Sequence, residues 1–406
     1  MTDPTREKVR VLVAFGTRPE AIKLWPVIQE LAGTDRIELT VVCTGQHREL
    51  IDLVLDPLGF QPDINLDLAR VDHGLNSLVA ELMPAIEQVI ERVEPDLIIV
   101  QGDTTSAMAT AMVGFHLGIQ VAHVEAGLRS GDRSHPFPEE ANRRILGSLC
   151  NLHFAPTQGA AAHLLREGVP DSEIFVTGNT GIDALLQVLA SPIRPEMPSE
   201  VAAIGESQPV LITLHRRESW LPAEDQEESA TILAGLFEVL RLTAENHSEH
   251  VFVFPAHPNP RIRSLVSRYL HGQPNILVVE PLDYSCFVNL LARARLILTD
   301  SGGIQEEAPS LGVPTLILRQ TTERPEALEV STNRLVGVDP EAVGRAIETE
   351  LSKPPPTTEG RPFPSPFGDG RAASRIRHFI LHQFGFGSRP EPFAATREGE
   401  VLEVTQ

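Results

Sequence analysis

The sequence predicts an α/β protein with two Rossmann-like domains and a cleft between them. Short continuous apolar runs alternate with segments of helical periodicity, which is the pattern of a doubly wound parallel sheet. The alternation breaks once, at residues 190–208, and then restarts. With 406 residues, of which 42% are hydrophobic, the chain is long for one core and suits two domains.

The first half begins with the run VRVLVAF at residues 9–15, which predicts a buried central strand. A helix is expected around Pro19, a residue suited to the first helical turn, with a kink at Pro26. Apolar residues recur every three or four positions from Leu75 to Val93 and predict an amphipathic helix. Further strands are predicted at residues 37–44, 97–100 and 120–124, with a helix at residues 105–117.

The second half follows a segment with three prolines and little periodicity, which we interpret as a linker. Its strands are predicted at residues 210–214, 251–254, 276–279, 296–298 and 315–318. We predict an N-terminal domain at residues 1–188, which carries the acid/base carboxylates, and a C-terminal ligand-binding domain at residues 209–368, with a linker at 189–208 between them. A helix at residues 369–385 is expected to pack back on the first domain, and residues 386–406 are expected to form a loose tail.

Composition excludes several classes of partner. The formal net charge is −21, so the surface repels nucleic acid and anionic membranes, and neither is expected as a partner. The three cysteines are widely spaced and include no Cys-x-x-Cys pair, so neither a disulfide framework nor a zinc knuckle is predicted. The chain shows no signal-peptide pattern and no apolar run of membrane-spanning length, so we expect a soluble cytoplasmic protein.

The most informative motif is TDSGGIQEE at residues 299–307. It follows a predicted strand and leads into Glu306 and Glu307, which we place in the first turn of a helix. Free backbone N–H groups and the positive end of the helix dipole would bind an anion there, and two glycines would let a phosphate approach. A neighbouring carboxylate suits ribose hydroxyls. The motif alone is equally compatible with an ordinary capped helix that has acidic residues in its first turn.

Polar motifs also follow strands in the first half, where the carboxyl ends of parallel strands form the usual ligand site. GTRPEAIK at residues 16–23 places cations at a helix start, which indicates an anionic ligand, whereas the NAD fingerprint and the Walker sequence are absent. In GDTT at residues 102–105, either Asp103 or Thr104 is expected to cap the next helix, and for Asp103 taken alone this is the better explanation. HVEAGLR at 123–129 and PFPEEANRR at 136–144 supply carboxylates for acid/base chemistry, although Glu140 is explained by the helix start itself.

Two histidines of the second half, His215 and His257, are candidate site residues. His215 directly follows a strand and suits proton donation, with the alternative that HRRE at residues 215–218 is only a solvated charge run. His257 lies in the proline-rich FPAHPNP loop, where it either binds a ligand or only caps the loop. No two histidines or carboxylates show ligand spacing on a helix, so no metal site is predicted.

Together with TGQHR at residues 44–48, GNT at 178–180 and TERPE at 322–326, these motifs resemble those of the non-hydrolysing UDP-N-acetylglucosamine 2-epimerases. Order and spacing agree from about residue 9 to about residue 382. The resemblance implies a glycosyltransferase-B type fold, usually in a homodimer, and a UDP-sugar substrate. It implies interconversion of UDP-N-acetylglucosamine and UDP-N-acetylmannosamine without NAD, metal or another cofactor. In the reaction that the resemblance implies, UDP is eliminated to leave 2-acetamidoglucal and is then added back with opposite stereochemistry at the second sugar carbon.

By motif position, the resemblance implies three sets of site residues. The catalytic set is Asp103, Glu125, Glu139 and His215. The UDP-binding set, in which Glu307 holds the ribose, is Arg18, Lys23, Arg143, Ser301, Gly302, Gly303 and Glu307. The candidate allosteric set is Gln46, Arg70 and His257.

The chain departs from the family pattern at two places. Leu214 precedes the His215 motif and Trp220 lies just after it, where many relatives carry an alanine and an Asn-Leu-Gly run, so the sugar pocket could differ in shape. Val71 follows Arg70 where relatives carry the glutamine of their activator site. Two alternatives stay open: a glycosyltransferase that uses the same nucleotide seat with an acceptor, and a catalytically silent nucleotide-sugar binding protein. The sugar itself is also open, since 3-acetamido and uronate relatives of the substrate would fit the same motifs.

Overall fold

The computed structural model describes residues 7–45, 55, 57–68, 74–214, 226–256, 260–330, 332–357 and 362–395. The chain divides into two compact units. The first unit comprises Met1–Gln187 and Phe367–Ala395, and the second is centred on Val188–Pro366. Within the described ranges, no helix is both long and apolar enough to cross a membrane.

The first unit is built on seven strands: β1 (Val9–Phe15), β2 (Ile37–Cys43), β3 (Ile64–Asn65), β4 (Leu97–Gln101), β5 (Gln120–Val124), β6 (Leu152–Ala155) and β7 (Ile174–Val176). They form one sheet in the order β3-β2-β1-β4-β5-β6-β7, in which all neighbours are parallel. β1 is buried at every position except Arg10, which is half-buried, because parallel sheets are covered on both faces. The strand order reverses between β1 and β4, which is the topological switch point of the sheet.

Helices connect these strands, and their bounds follow the sequence periodicity closely. Pro26 is buried inside the first helix without ending it. The helix Leu75–Val93 spans the segment in which apolar residues recur every three or four positions. The helices of the first unit that lie wholly within the described ranges are Arg18–Ala32, Leu75–Val93, Thr105–His116, Glu139–Leu149, Gln158–Arg166, Thr180–Ala190 and Ala372–Gln383.

The helix Ala372–Gln383 completes the core of the first unit. Phe379 packs against Phe154 and Phe175, with ring centroids 5.7 and 4.5 Å apart. Beyond this helix, Phe393 is also buried, and its backbone N–H donates to the Val176 oxygen at 2.8 Å. The described part of the segment predicted as a tail therefore packs on the first unit at Phe393.

A buried carboxylate holds the amino end of this helix. The backbone N–H groups of Ala372 and Ala373 donate to the Asp183 carboxylate at 3.1 and 2.8 Å. Burial raises the pKa of Asp183 to about 7, although these two hydrogen bonds act to lower it. Asp183 thus serves as a cap contributed by a distant helix, Thr180–Ala190.

The second unit is built on six strands: β8 (Val210–Thr213), β9 (Phe252–Pro255), β10 (Ile276–Val279), β11 (Leu296–Thr299), β12 (Thr315–Ile317) and β13 (Asn333–Leu335). They form a parallel sheet in the order β10-β9-β8-β11-β12-β13, with its switch point between β8 and β11. Its α-helices are Ser199–Ala202, Gln226–Asn246, Pro260–Leu265, Tyr284–Arg293, Gly302–Leu311 and Pro340–Leu351.

The segment predicted as a linker has some structure of its own. It contains the short helix Ser199–Ala202, in which Val201 is buried. The backbone oxygen of Glu196 accepts a weak hydrogen bond from the Cys286 thiol at 3.4 Å. This part of the segment therefore packs against the second unit.

The predicted α/β class with two parallel sheets is confirmed. Every predicted strand is observed with boundaries that agree within one residue. Four short strands were not predicted, namely β3, β6, β7 and β13.

Candidate active site

Polar loops flank the switch point of each sheet. In the first unit, β1 runs into Gly16 and β4 into Gly102 and Asp103. In the second unit, β11 runs into Asp300 and Ser301. Open parallel sheets bind ligands at the carboxyl ends of the strands beside the switch point. Each unit therefore carries a candidate binding site formed by its own loops.

Gly16 lets three loops of the first unit converge. A Cβ atom at this position would lie 2.4 Å from Oγ1 of Thr44 and 2.6 Å from Oγ of Ser106, which is too close for any larger residue without displacement. Thr44 follows β2 and Ser106 lies at the start of the helix after β4. The loop that carries Arg18 is thereby held against both neighbours.

Glu20 is a buried carboxylate that joins the loops on the two sides of this switch point. One carboxylate oxygen accepts from the Gly16 N–H at 3.0 Å and from the Thr17 hydroxyl at 2.7 Å. The other accepts from the Thr104 hydroxyl at 2.7 Å. Burial raises the pKa of Glu20 to about 7, against hydrogen bonds that act to lower it. Sequence reasoning missed this role because an acidic residue in a first helical turn has a sufficient local explanation.

Glu125 and Lys23 form an ion pair at the end of β5. Their side chains are only 9% and 15% exposed, so water screens the pair weakly. Nε2 of Gln101, the last residue of β4, donates to the same Glu125 oxygen at 2.8 Å. The backbone φ of Glu125 is +66°, a left-handed conformation that is uncommon outside glycine and clusters at functional sites.

Asp103 and Arg143 form a second ion pair. Nε and Nη2 of Arg143 lie 2.9 and 2.6 Å from Oδ2 of Asp103, and the Asn142 amide donates to the Asp103 backbone oxygen at 2.9 Å. Of the two predicted caps for the next helix, Thr104 is the observed one, since its hydroxyl accepts from the Ala107 N–H at 3.0 Å, and Asp103 is not the cap. The Asp103 carboxylate instead faces a cation.

Glu139 opens the helix Glu139–Leu149 and is half-buried. It precedes Arg143 by four residues, so both lie on one face of that helix. Glu140 is fully buried, and its carboxylate accepts from the Ser130 N–H at 2.9 Å and contacts Nη1 of Arg143 at 3.4 Å. Glu140 therefore does more than begin a helix, since it also holds Arg143 in place.

Arg18 is half-buried at the first position of its helix. Its side chain makes no hydrogen bond or ion pair to the residues that the structure describes, and burial lowers its pKa. A partly desolvated cation at a switch point is suited to an anionic ligand.

His123 supports the neighbouring loop from within the sheet. It is buried, and its Nε2–H donates to the Gly102 oxygen at 2.6 Å, which fixes the tautomer because a carbonyl oxygen only accepts. Burial, with a smaller contribution from His153 on the adjacent strand, lowers its pKa to about 3. His123 is therefore a neutral structural group.

In the second unit, the helix Gly302–Leu311 begins without a side-chain cap and without an acidic residue in its first turn. Ser301 is its N-cap residue, and the Ser301 N–H donates to Oγ1 of Thr299 at 3.0 Å. The prediction that Glu306 and Glu307 lie in the first turn is wrong, because the helix starts earlier and places them in its second turn. The ordinary capped-helix interpretation thereby loses both of its supports, and an anion site is favoured.

Arg324 lies beside this helix start. A Cβ on Gly302 would be 2.6 Å from Nη1 and 2.7 Å from Cζ of Arg324. Nε of Arg324 contacts Glu306 at 2.5 Å, and Nη1 donates to Glu323 at 2.7 Å. The two carboxylates hold the guanidinium next to the free N–H groups. Sequence reasoning did not single out Arg324, because only the fold brings it to Gly302.

Glu307 is half-buried, and its carboxylate interacts electrostatically with the Tyr284 hydroxyl. Burial and then the Glu307 charge raise the pKa of Tyr284 well above its ordinary value. The Tyr284 hydroxyl is buried and has no hydrogen-bond partner within the described part of the chain. This hydroxyl was another polar group that sequence reasoning missed.

Four predicted site residues lie outside the described residues. They are His215 of the catalytic set and Gln46, Arg70 and His257 of the allosteric set. The remaining residues fall into two groups by unit, with Arg18, Lys23, Asp103, Glu125, Glu139 and Arg143 in the first and Ser301, Gly302, Gly303 and Glu307 in the second.

Two doubly wound sheets with ligand loops at their switch points define a protein of the glycosyltransferase-B type. A family profile described as UDP-N-acetylglucosamine 2-epimerase matches residues 29–381. The chain therefore belongs to the UDP-N-acetylglucosamine 2-epimerase family, as its motifs predicted.

Individual relatives agree over nearly the whole chain. The UDP-N-acetylglucosamine 2-epimerase of Yersinia pestis is 43% identical over 374 residues, which cover 91% of this chain and 97% of that protein. The structure of S. aureus MnaA with UDP has a TM-score of 0.84 at 35% identity and covers 95% of this chain and 100% of that one. The Neisseria meningitidis UDP-GlcNAc 2-epimerase bound to UDP-GlcNAc has a TM-score of 0.83 at 37% identity, with coverages of 92% and 100%.

Proposed function

We propose that this chain interconverts UDP-N-acetylglucosamine and UDP-N-acetylmannosamine. Family membership supports the proposal, and one structural observation supports it most directly. The helix Gly302–Leu311 presents an uncapped amino end beside the Arg324 guanidinium, which is a seat for a pyrophosphate.

The proposed reaction proceeds by elimination and re-addition. A base removes the proton from the second sugar carbon, the bond from the first carbon to UDP breaks with its electron pair leaving on UDP, and the double bond of 2-acetamidoglucal forms. UDP then adds back to the first carbon while an acid delivers a proton to the opposite face of the second. Protons and electrons balance without an oxidant or a reductant.

Asp103, Glu125, Glu139 and His215 are the proposed acid/base residues. A general base must be held within reach of the proton that it removes, and a fixed charged partner holds a carboxylate side chain in position. The pairing of Lys23 with Glu125 and that of Arg143 with Asp103 supports this role. Low exposure of the Lys23–Glu125 pair supports a dry site, in which removal of a weakly acidic proton is easier.

The second part of the proposed mechanism is stabilisation of the leaving group, UDP. UDP gains negative charge as its bond to the sugar breaks, so fixed positive groups that bind UDP more tightly at that stage lower the barrier. In the first unit these are Arg18, Lys23 and Arg143. In the second they are the N–H groups that follow Ser301, with Glu307 binding the ribose hydroxyls.

Hydrogen exchange tests the reaction directly. The purified protein is incubated with UDP-N-acetylglucosamine in D₂O, and the sugar signals are followed by NMR. We expect deuterium at the second sugar carbon together with a manno product. Turnover that requires an added acceptor would instead establish a glycosyltransferase, and UDP-sugar binding without exchange would establish a silent binding protein.

We also propose that the protein is a cytoplasmic homodimer, as the family resemblance implies for the assembly. Cys43, Cys150 and Cys286 are free and buried, which suits a reducing compartment. Sedimentation equilibrium should yield the mass of two chains, and a single-chain mass at micromolar concentration would contradict the assembly.

A further inference from the structure

A cluster of metal-ligating side chains lies in the second unit, away from the loops described above. His247, Glu249 and His250 occupy the short connection between the helix Gln226–Asn246 and β9. His250 lies two residues before the amino end of β9, whereas Ser301 follows the carboxyl end of β11. Because the strands are parallel, the cluster is at the opposite end of the sheet from the candidate phosphate seat.

The three ligand atoms have the spacing of a zinc site. Nδ1 of His247 is 3.2 Å from Oε1 of Glu249, and Nε2 of His250 is 3.7 Å from the same oxygen. All three ligand atoms lie within 4.8 Å of one another. Ligands placed about 2.1 Å from a tetrahedral Zn²⁺ ion are about 3.4 Å apart, so only a small adjustment would be needed.

A second carboxylate occupies the position that metal-binding histidines usually require. Nε2 of His247 lies 2.8 Å from Oε2 of Glu348, in the helix Pro340–Leu351. When Nδ1 of an imidazole holds a metal, Nε2 carries the proton and donates it to a partner, most often a carboxylate or a carbonyl. Glu348 would orient His247 in this way without touching the ion.

The backbone of the connection is also held in place. The Asn275 amide donates to the backbone oxygens of Ala244, His247 and His250 at 2.9, 3.1 and 3.0 Å. One side chain thus fixes the positions from which both imidazoles project. A preorganised connection lowers the conformational entropy that an ion must overcome when it binds.

We propose that His247, Glu249 and His250 bind one Zn²⁺ ion, with water as the fourth ligand and Glu348 as the outer partner of His247. The ion would tie the end of the helix Gln226–Asn246 to the helix Pro340–Leu351 and stabilise the second unit. Sequence reasoning missed the cluster because it searched for ligand spacing on helices, whereas these residues are in a loop.

Zinc titration tests the proposal on tag-free full-length protein at about pH 8, where free imidazoles are neutral. Calorimetry should show one Zn²⁺ per chain. The double variant H247A/H250A should lose this binding, and Co²⁺ should produce tetrahedral visible absorption bands only in the unsubstituted protein. His271→Ala is the matched control, because it removes an exposed histidine of the same unit outside the cluster.

Glu348→Gln distinguishes the outer partner from a ligand. It should keep the one-to-one stoichiometry and weaken Zn²⁺ binding by about tenfold or more, as losses of such partners usually do. Zinc should also raise the unfolding temperature of the wild type and of His271→Ala, but not of the double variant.

The proposal is overturned if the double variant binds Zn²⁺ as tightly as His271→Ala does, or if the wild type shows no stoichiometric binding. His247 would then be an imidazolium held between two carboxylates and no more. The deuterium-exchange reaction should proceed equally in wild type and H247A/H250A, so the fate of this proposal is independent of the proposed epimerase activity.

Discussion

The two switch points share one topology and differ in their chemistry. The loops of the first unit are filled by side chains of opposite charge, with Glu125 against Lys23 and Asp103 against Arg143. The loop of the second unit presents backbone N–H groups at a helix start, with Arg324 as the nearest described cation around Gly302.

Under the proposed function, this difference lets the same sheet architecture support proton transfer in the first unit and phosphate binding in the second. In that function, a carboxylate side chain can accept or release a proton and can change partners when a ligand binds. Backbone N–H groups do not change their protonation state at neutral pH, so under the same proposal they are suited to a permanent anion site. The sheet provides the position, and the loop determines the chemistry.

The largest expected effect is a loss of turnover without a loss of UDP binding, which would distinguish proton transfer from nucleotide binding. Glu125→Gln and Glu139→Gln should each lower turnover about 10²-fold or more, because the amide cannot accept a proton. UDP affinity, measured by calorimetry, should stay within the error of the wild type. Glu94→Gln, an exposed carboxylate of the same unit, is the control. Unchanged turnover in both variants would remove these residues from the mechanism.

The next effect tests whether the first unit also binds phosphate. Arg18→Met should weaken UDP binding by about tenfold to a hundredfold, the value of a hydrogen bond to a charged group. The deficit should shrink as salt concentration rises, because salt weakens the wild-type interaction too. Arg92→Met removes an exposed arginine of the same unit and should change nothing. Equal UDP affinity in both variants would confine phosphate binding to other groups.

Two adjacent glycines of the second unit test how closely Arg324 approaches the helix start. Gly302→Ala should destabilise the protein by about 1–3 kcal/mol, because the new methyl group must displace a guanidinium that Glu306 and Glu323 hold. Gly303→Ala should be neutral or slightly stabilising, since its Cβ meets only Oγ of Ser301 at 3.9 Å and alanine favours helix. Denaturant unfolding measures both, and equal losses would contradict the close approach of Arg324.

The last expected effect concerns Glu20 and the pH dependence of stability. Its pKa is about 7 in the folded chain against an ordinary value of 4.5, so the folded state retains a proton that the unfolded state releases. Stability should therefore be greatest below the lower value and fall as pH rises through the higher one. Glu20→Gln should flatten this part of the stability curve, as measured by urea unfolding at several pH values. If the stability curve of the variant ran parallel to that of the wild type, Glu20 would be ionised throughout this pH range.

The fold was largely predictable because parallel strands buried on both faces leave continuous apolar runs. β1, β4 and β11 have this signature, and each was predicted within one residue. β3 and β13 have only two and three residues, too few for any period to emerge. They form because a neighbouring strand supplies hydrogen-bonding partners, which no local pattern encodes.

The candidate site was predictable in its residue types but not in its pairings. A cation at a helix start and a carboxylate after a strand identified Lys23 and Glu125 as candidates, and the family resemblance added Asp103 and Arg143. Lys23 and Glu125 are 102 positions apart, and only the order of strands in the sheet makes them partners. The role of Glu20 was hidden for the same reason, since its contact with Thr104 spans 84 positions.

The contact between Asp183 and the helix Ala372–Gln383 has a consequence for biogenesis. A ribosome must translate the whole of Val188–Pro366 before it reaches the residues that close the first unit. Until then, Phe154 and Phe175 lack the aromatic ring of Phe379 that covers them in the finished protein. The amino-terminal half therefore emerges with an uncovered apolar surface, and it can mature only after the second unit has been translated.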